Sequence, residues 1–325
     1  MKDLRGSKCY VTGATGFIGH ALVDHLLGQG AQVIALSKHP GTKVRRVDER
    51  VFLYVGDTRD YRLHCDIIAS HEVDYVIHLA ANSIVRTSAN DPLNTYDINV
   101  MGTVALLEAI RNVGKRVKKT IVASSDKAYG DHDVLPYTES THLRPKNTYD
   151  TSKACADMIA RSYAHNYNMP IAVTRCSNVY GPADPNQSRL IPNTMRRILN
   201  QQPPMLYSDI KKMQREFIYI DDVVRAYSLL LVSGPESDGE DYNIGGTGCE
   251  SIEDVVNKIM AVANAKTSVL VVERDENFKE ISRQYTDSSK ITDLTGWLPR
   301  VLLDEGLNRT YKWAESFYRQ NRSQY

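Results

Sequence analysis

Long apolar runs are missing from this sequence. No stretch approaches the roughly 20 consecutive apolar residues that a membrane-spanning helix requires, which argues against insertion in a bilayer. No secretory leader is expected either, because Lys8 leads straight into the short apolar run Cys9-Tyr10-Val11 with no apolar core before it. The expected location is the cytoplasm. Cysteine is sparse: the five, Cys9, Cys65, Cys155, Cys176 and Cys249, are odd in number and far apart, with neither a C-x-x-C pair nor a His/Cys cluster of zinc type. A disulfide framework is therefore not expected, and reduced thiols are. Excess charge of one sign is also lacking, since 40 Lys and Arg stand against 39 Asp and Glu, a formal charge of +1. Without a basic field neither nucleic acid nor an anionic membrane is an expected partner, which leaves a small molecule. There is no internal repeat and no low-complexity tract.

What is present is alternation. A chain of 325 residues can bury a sizeable core as one large α/β unit or two closely associated domains. Short apolar runs at 8–11, 32–36, 51–55 and 75–79 alternate with helical patterns at 18–27, 61–70 and 98–112. Strand patterns at 120–124 and 171–175 continue the series, with a long helical pattern at 151–166 between them. Such alternation predicts successive βαβ units and a parallel sheet covered by helices on both faces. The expected class is α/β, a Rossmann doubly wound parallel sheet with a smaller, mixed α/β C-terminal domain. After Asn178 the pattern is broken by Gly181-Pro182, Pro185, Pro203-Pro204 and the polar run 208–215. A helix expected at 221–232 and a strand at 242–244 return to the large sheet. The domains are thus expected to be discontinuous, one comprising 1–178 with 216–247 and the other 179–215 with 248–325.

Gly13-Ala14-Thr15-Gly16-Phe17-Ile18-Gly19 follows the first strand pattern and opens a helix. In that context glycines allow a tight turn, close backbone approach to a pyrophosphate and close helix packing, while the helix N-terminus offers unpaired N–H groups to the anion. The spacing is G-x-x-G-x-x-G. At the end of the second strand, where an acidic residue would suit the ribose 2′-hydroxyl of NAD, the chain has Ser37-Lys38. These suit a 2′-phosphate and favour NADP, although a loop residue elsewhere could serve NAD. Tyr149 and Lys153 stand one helical turn apart, so both reach a common position. A phenol titrates near pH 10 and becomes a base at neutrality only beside positive charge, here expected from Lys153 and an oxidised nicotinamide. Ser124-Ser125-Asp126-Lys127 sits at a strand's carboxyl end, where open α/β sheets place ligands. Asp221-Asp222 opens a helical pattern and suits its N-terminal dipole better than a metal; no catalytic metal is expected.

The glycine loop, Gly56-Asp57, His78-Leu79-Ala80-Ala81, Asn99-Val100-x-Gly102-Thr103 and Tyr149-x-x-x-Lys153 occur in this order. Together they resemble the extended short-chain dehydrogenase/reductase family, particularly its nucleotide-sugar epimerases and dehydratases, over nearly the whole chain. The resemblance implies NAD(P), tightly bound and recycled, at Gly13, Thr15, Gly16, Phe17, Ile18, Gly19, Ser37 and Lys38. It further implies Asp57 and Thr58 at the adenine edge, Leu79, Ala80 and Ala81 lining the cofactor, Asn99 ordering the site, and Tyr149 and Lys153 at the nicotinamide end. Ser125 matches the family's hydroxyl residue that supports the tyrosine. Many sugar 4,6-dehydratases follow it with Asp-Glu, an acid for the departing 6-hydroxyl and a base for carbon 5. Here the pair is Asp126-Lys127, which is similar to the CDP-glucose 4,6-dehydratase type, with Lys127 either the base or a charge that stabilises the enolate.

The same resemblance implies a nucleotide-diphosphate hexose as partner, its phosphates contacted by Asn178 and Arg215. A planar guanidinium suits such binding. Arg189 and Arg283 are further candidates that could equally form surface ion pairs. The expected function is a nucleotide-sugar 4,6-dehydratase that yields a 4-keto-6-deoxyhexose. A 4-epimerase is the alternative, and a non-catalytic dinucleotide sensor is the alternative of another class. Many relatives dimerise through two helices of each subunit, which match 98–112 and 151–166, so a homodimer is expected. Trp297, in the C-terminal pattern, is expected to be a packing anchor.

Overall fold

A computed structural model describes residues 4–41, 47–273 and 281–320. Its strands are β1 (Lys8–Thr12), β2 (Gln32–Ser37), β3 (Phe52–Val55), β4 (Tyr75–His78), β5 (Lys119–Ser125), β6 (Ile171–Cys176), β7 (Asn178–Tyr180), β8 (Met205–Tyr207), β9 (Gln214–Tyr219), β10 (Asp241–Ile244), β11 (Cys249–Ser251), β12 (Leu270–Val272) and β13 (Arg283–Gln284). Seven of them form one sheet in the order β10-β6-β5-β4-β1-β2-β3. Every pairing in it is parallel, which is the expected doubly wound arrangement.

The central strands are buried because both faces are covered. Along β1 the side chains alternate between two cores: Cys9 and Val11 join helices Phe17–Gly28 and Ile220–Leu231, while Tyr10 joins helices Tyr61–His71, Gly102–Val113 and Thr148–Tyr167. Strand order reverses between β1 and β4. The crevice outside their carboxyl ends is therefore the place where such a sheet takes a ligand.

A smaller mixed sheet, β11-β9-β13 with β7 also on β9, begins where β7 follows the carboxyl end of β6. Helices Leu190–Leu199, Ile252–Val262 and Leu303–Gln320 enclose its core. Strand β9 lies in this smaller sheet through Tyr219, so the chain returns to the large unit at helix Ile220–Leu231, a little after residue 216. Trp297 is fully buried and donates its indole N–H to the Asp222 carbonyl at 3.0 Å. The Asp222 carboxylate accepts the backbone N–H groups of Arg300 and Val301, each at 2.9 Å. All five cysteines are unpaired. Among the described residues no helix is long and apolar enough to cross a membrane.

Candidate active site

The glycine loop is a cradle in which two of three glycines are demanded by the protein itself. Gly13 has φ +68, and a β-carbon there would lie 2.8 Å from the Ala80 nitrogen; one at Gly19 would overlap the Gly13 carbonyl oxygen and lie 2.8 Å from the Ala14 backbone. Gly16 is different. A β-carbon there would meet the Gly13 oxygen at 3.1 Å and nothing else nearby, so its open side is left for a ligand. Gly16 is also the N-cap of helix Phe17–Gly28 and makes no side-chain cap. The first-turn N–H groups are then available to an anion, and this loop fits the pyrophosphate of a dinucleotide. Phe17 and Ile18 begin the helix.

Ser37, at the end of β2, is buried and shares a hydrogen bond with the Thr15 hydroxyl, which ties the loop to the neighbouring strand. Lys38 is exposed, and its charge helps to hold the Asp57 carboxyl low. The main cause of that lowering, to about 2, is Arg59, whose guanidinium grips Asp57 through both oxygens at 2.7 and 2.9 Å and also pairs with Asp97. Thr58 packs its methyl against Gly102, and its carbonyl is hydrogen-bonded to the His64 ring at 2.8 Å.

Across the crevice, His78 ends β4 with both ring nitrogens engaged: Thr12 Oγ1 lies at 2.7 Å from Nδ1 and Thr103 Oγ1 at 3.1 Å from Nε2. Burial pushes its pKa down to about 3, so the ring is neutral. The Thr12 hydroxyl also accepts the Ala80 N–H at 3.3 Å, and the Thr12 carbonyl accepts the Leu79 N–H at 3.2 Å. The Leu79-Ala80-Ala81 backbone is thus held against the loop. Asn99 lies in a short π-helical segment, Asp97–Met101. Its Oδ1 accepts the Asn82 N–H at 2.7 Å, and its amide donates to the Asn82 carbonyl at 3.1 Å and to the Ser152 hydroxyl at 2.8 Å. Ser152 in turn donates to the Tyr149 carbonyl at 2.7 Å. Asn99 therefore braces the crevice loop against the helix that carries Tyr149 and Lys153, and interruptions of this kind often mark functional sites.

Ser125 closes β5. Its hydroxyl donates to Asp126 Oδ1 at 3.1 Å and accepts the Lys127 N–H at 3.3 Å, and its polarity helps to lower the Tyr149 phenol. Asp126 is 1% exposed, and its Oδ2 is buried without a partner. Burial raises this carboxyl above its ordinary range, against the opposing charges of Lys127 and Arg215. Burial also raises the Tyr149 phenol, and the charge that most opposes the rise is that of Arg189. Lys153 donates from Nζ to the Ala123 carbonyl at 2.6 Å, and burial lowers its pKa to about 8. The five residues Ser125, Asp126, Lys127, Tyr149 and Lys153 thus gather where β5 meets the helix Thr148–Tyr167.

The smaller sheet supplies the other wall. Asn178 donates from its amide to the Glu216 carbonyl at 2.9 Å. Arg215 is buried, donates to the Gln214 carbonyl at 2.9 Å and acts electrostatically on Asp126. Arg189 is paired with the buried Asp184 at 3.0 and 3.1 Å, and its guanidinium lies 5.8 Å from the Phe17 ring centre, bridging the smaller unit to the glycine loop. Arg283 is on the exposed edge with its guanidinium over the Tyr285 ring, 4.9 Å from its centre. Sequence reasoning did not single out Arg59, Asn82, Ser152, Asp184 or Glu216. Glu216 is buried, accepts both the N–H and the hydroxyl of Thr286 at 3.1 and 2.8 Å, and is pushed up to about 8, mainly by burial. An acid beside Arg215 in the sequence was its only visible signal.

The family model described as GDP-mannose 4,6 dehydratase matches residues 10–310. A dTDP-glucose 4,6-dehydratase from Xanthomonas campestris is 30% identical over 327 residues, covering 93% of this chain and 92% of its own. Among solved structures, UDP-glucose 4-epimerase from Thermotoga maritima, with UDP-glucose, has a TM-score of 0.89 at 28% identity and covers 95% of this chain and 99% of its own. The dTDP-glucose 4,6-dehydratase from Bacillus anthracis, in complex with NAD, has a TM-score of 0.86 at 28% identity, covering 98% and 99%.

Proposed function

The chain belongs to the GDP-mannose 4,6-dehydratase family of extended short-chain dehydrogenase/reductases, and on that premise we propose that it is an NAD(P)-dependent nucleotide-sugar 4,6-dehydratase. The observation that carries the reading is Asp126: a buried carboxyl, raised by burial, with one oxygen unpartnered at the carboxyl end of β5. A carboxyl whose burial favours its protonated form suits delivery of a proton to a leaving hydroxyl. A 4-epimerase has no leaving group to protonate.

The dinucleotide would lie along the crevice, held by the glycine loop, Ser37 and Lys38, Asp57 and Thr58, the Leu79-Ala80-Ala81 backbone and Asn99, with Tyr149 and Lys153 at the nicotinamide end. When bound, it supplies a reversible hydride acceptor for carbon 4 and a donor for carbon 6, together with a positively charged ring. Tyr149, steadied by Ser125, takes the proton of the 4-hydroxyl. Ketone formation there acidifies the carbon 5 proton, which Lys127 removes as a base or, if charged, eases onto solvent water by stabilising the enolate that forms. The C5–H electron pair becomes the new double bond, the C6–O bond breaks, and Asp126 protonates the departing oxygen to give water. Carbon 5 later regains a proton, and the one taken by Tyr149 makes good the one lost from Asp126, so the net change is loss of one water.

The exposed Lys38 and the absence of a carboxylate at the end of β2 favour NADP, although the Ser37 hydroxyl is already shared with Thr15. The large unit would hold the dinucleotide and the smaller one the nucleotide diphosphate, through Asn178, Arg215, Arg189 and Arg283. A homodimer in the cytoplasm completes the proposal. Its support is the apolar surface left on the helices at 92–113 and 148–167, where Leu93, Met101 and Met158 are 81%, 52% and 57% exposed.

The test is to denature the purified protein, identify the nucleotide released, and then offer the native protein UDP-, CDP- and dTDP-glucose and GDP-mannose. Mass spectrometry is expected to find loss of water from one of them without added oxidant, and Asp126→Asn to slow that loss at least a hundredfold, within the usual range for a general acid. Isomerisation with no mass change would establish the epimerase instead.

A further inference from the structure

Asp126 begins a single turn of 3-10 helix that Tyr129 ends. In a helix of that pitch side chains three residues apart eclipse one another, so whatever anchors Tyr129 also sets the direction of Asp126. The acid needs such an anchor, because its own carboxyl is held at only one oxygen, by Ser125 at 3.1 Å.

Tyr129 is fully buried. Its hydroxyl accepts from Arg175 Nη1 at 2.9 Å and donates to Asn243 Oδ1 at 2.7 Å. Asn243, on β10, is itself fixed, since its amide donates to the carbonyls of Tyr137 and Asp287 at 2.9 and 3.0 Å. The Tyr137 hydroxyl returns to the carbonyl of Gly130, just past the turn, at 2.8 Å. Arg175, on β6, is 1% exposed and binds both oxygens of Asp157 at 2.8 and 3.0 Å, with Asp241 as a second carboxylate partner. Asp157 lies one turn beyond Lys153 on the helix that carries Tyr149. A single buried guanidinium therefore ties the helix of the base to the turn of the acid. Burial of an arginine with two carboxylates is a poor source of net stability, and a register-setting role is the better attested use of such groups.

We propose that Arg175 and Tyr129 are positioning residues for the elimination step, holding the Asp126 carboxyl at the angle to Tyr149 from which it protonates the oxygen leaving carbon 6. This rests on the reading of Asp126 as the acid. The step itself is the one given above, in which the C5–H pair forms the double bond, the C6–O bond breaks and the Asp126 proton leaves in water.

Tyr129→Phe deletes only the hydroxyl and leaves the Arg175–Asp157 pair in place. The protein with its bound nucleotide is to be assayed on whichever of UDP-, CDP- and dTDP-glucose and GDP-mannose the wild type dehydrates, with water loss followed by mass spectrometry and reduced nicotinamide by absorbance. A displaced acid is expected to slow water loss by roughly a hundredfold, with KM within about twofold and reduced nicotinamide accumulating because oxidation at carbon 4 continues. Arg175→Lys, which keeps the charge but not the fork, is expected to show the same split. Equal loss of oxidation and elimination, or an unchanged rate of water loss, overturns the proposal. Asp126→Asn separates the two ideas: if it eliminates water at the wild-type rate, the acid reading fails, whereas if it is inactive while Tyr129→Phe behaves as wild type, only the positioning role fails. A wild type that dehydrates none of the four sugars removes the step and this proposal with it.

Discussion

Lys153→Met is expected to stabilise the protein at neutral pH while it stops the reaction. The ammonium is buried, its one hydrogen bond goes to a neutral carbonyl, that of Ala123, and burial lowers its pKa from 10.5 to about 8. That difference corresponds to about 3 kcal/mol by which the charged form is disfavoured in the folded state. Methionine fills a similar volume without the charge. Its cost is the Ala123 carbonyl left without this donor, about 1 kcal/mol, which leaves a net gain of about 2 kcal/mol.

The pH dependence follows from which state holds the proton. Below a pH of about 8 both folded and unfolded chains carry it, so the wild-type penalty is constant and fully present. Between about 8 and 10.5 the unfolded chain keeps a proton that the folded one releases, and wild-type stability rises with pH relative to the variant. Above 10.5 both are neutral and the penalty is gone. Urea denaturation of nucleotide-stripped wild type and variant, from about pH 7 to about pH 10, reads the difference directly and cancels the titration of all other groups. A difference that stays flat across that range, or a variant less stable at neutral pH, would refute the reasoning.

Gly19→Ala places a methyl against the Gly13 carbonyl and the Ala14 backbone, neither of which can turn away. It is expected to destabilise by about 1–3 kcal/mol and to leave the purified protein without bound dinucleotide; an unchanged nucleotide content on denaturation would contradict the cradle. Met158→Arg puts a charge in the middle of the exposed apolar face and is expected to yield monomers by light scattering from a wild type that is dimeric. A monomeric wild type at micromolar concentration would end the dimer proposal.

Much of the large sheet was legible because its signals are local. The alternation of apolar runs with helical patterns follows from burying each strand on both faces, and β1, β2, β3, β4, β5, β6 and β10 all fall on runs that the pattern marks. The glycine loop was legible for the same reason: a turn with positive φ at Gly13 and no room for a side chain at Gly19 can be written only with glycine. The π-helical segment around Asn99 was not, since nothing in Asp97–Met101 departs from an ordinary helical pattern. Asn99 takes its partners, Asn82 and Ser152, from elements far away in sequence.

Charges were the least legible feature. Asp57 reads as a residue at the adenine edge, with no sign that Arg59 grips both its oxygens; Arg189 reads as a phosphate ligand or a surface pair, and it is paired with the buried Asp184. Lys153 was expected to be the cation beside the Tyr149 phenol, and Arg189, from the smaller unit, is the one whose charge opposes its rise most. The sequence by itself determined the parallel sheet, the dinucleotide loop and the residue types at the end of β5, because backbone conformation and periodic burial act over a few neighbouring residues. Only the tertiary structure decided which of those side chains are buried, which are already paired and which protons they hold. Desolvation and Coulomb energy depend on distance in space, and chain order does not record it.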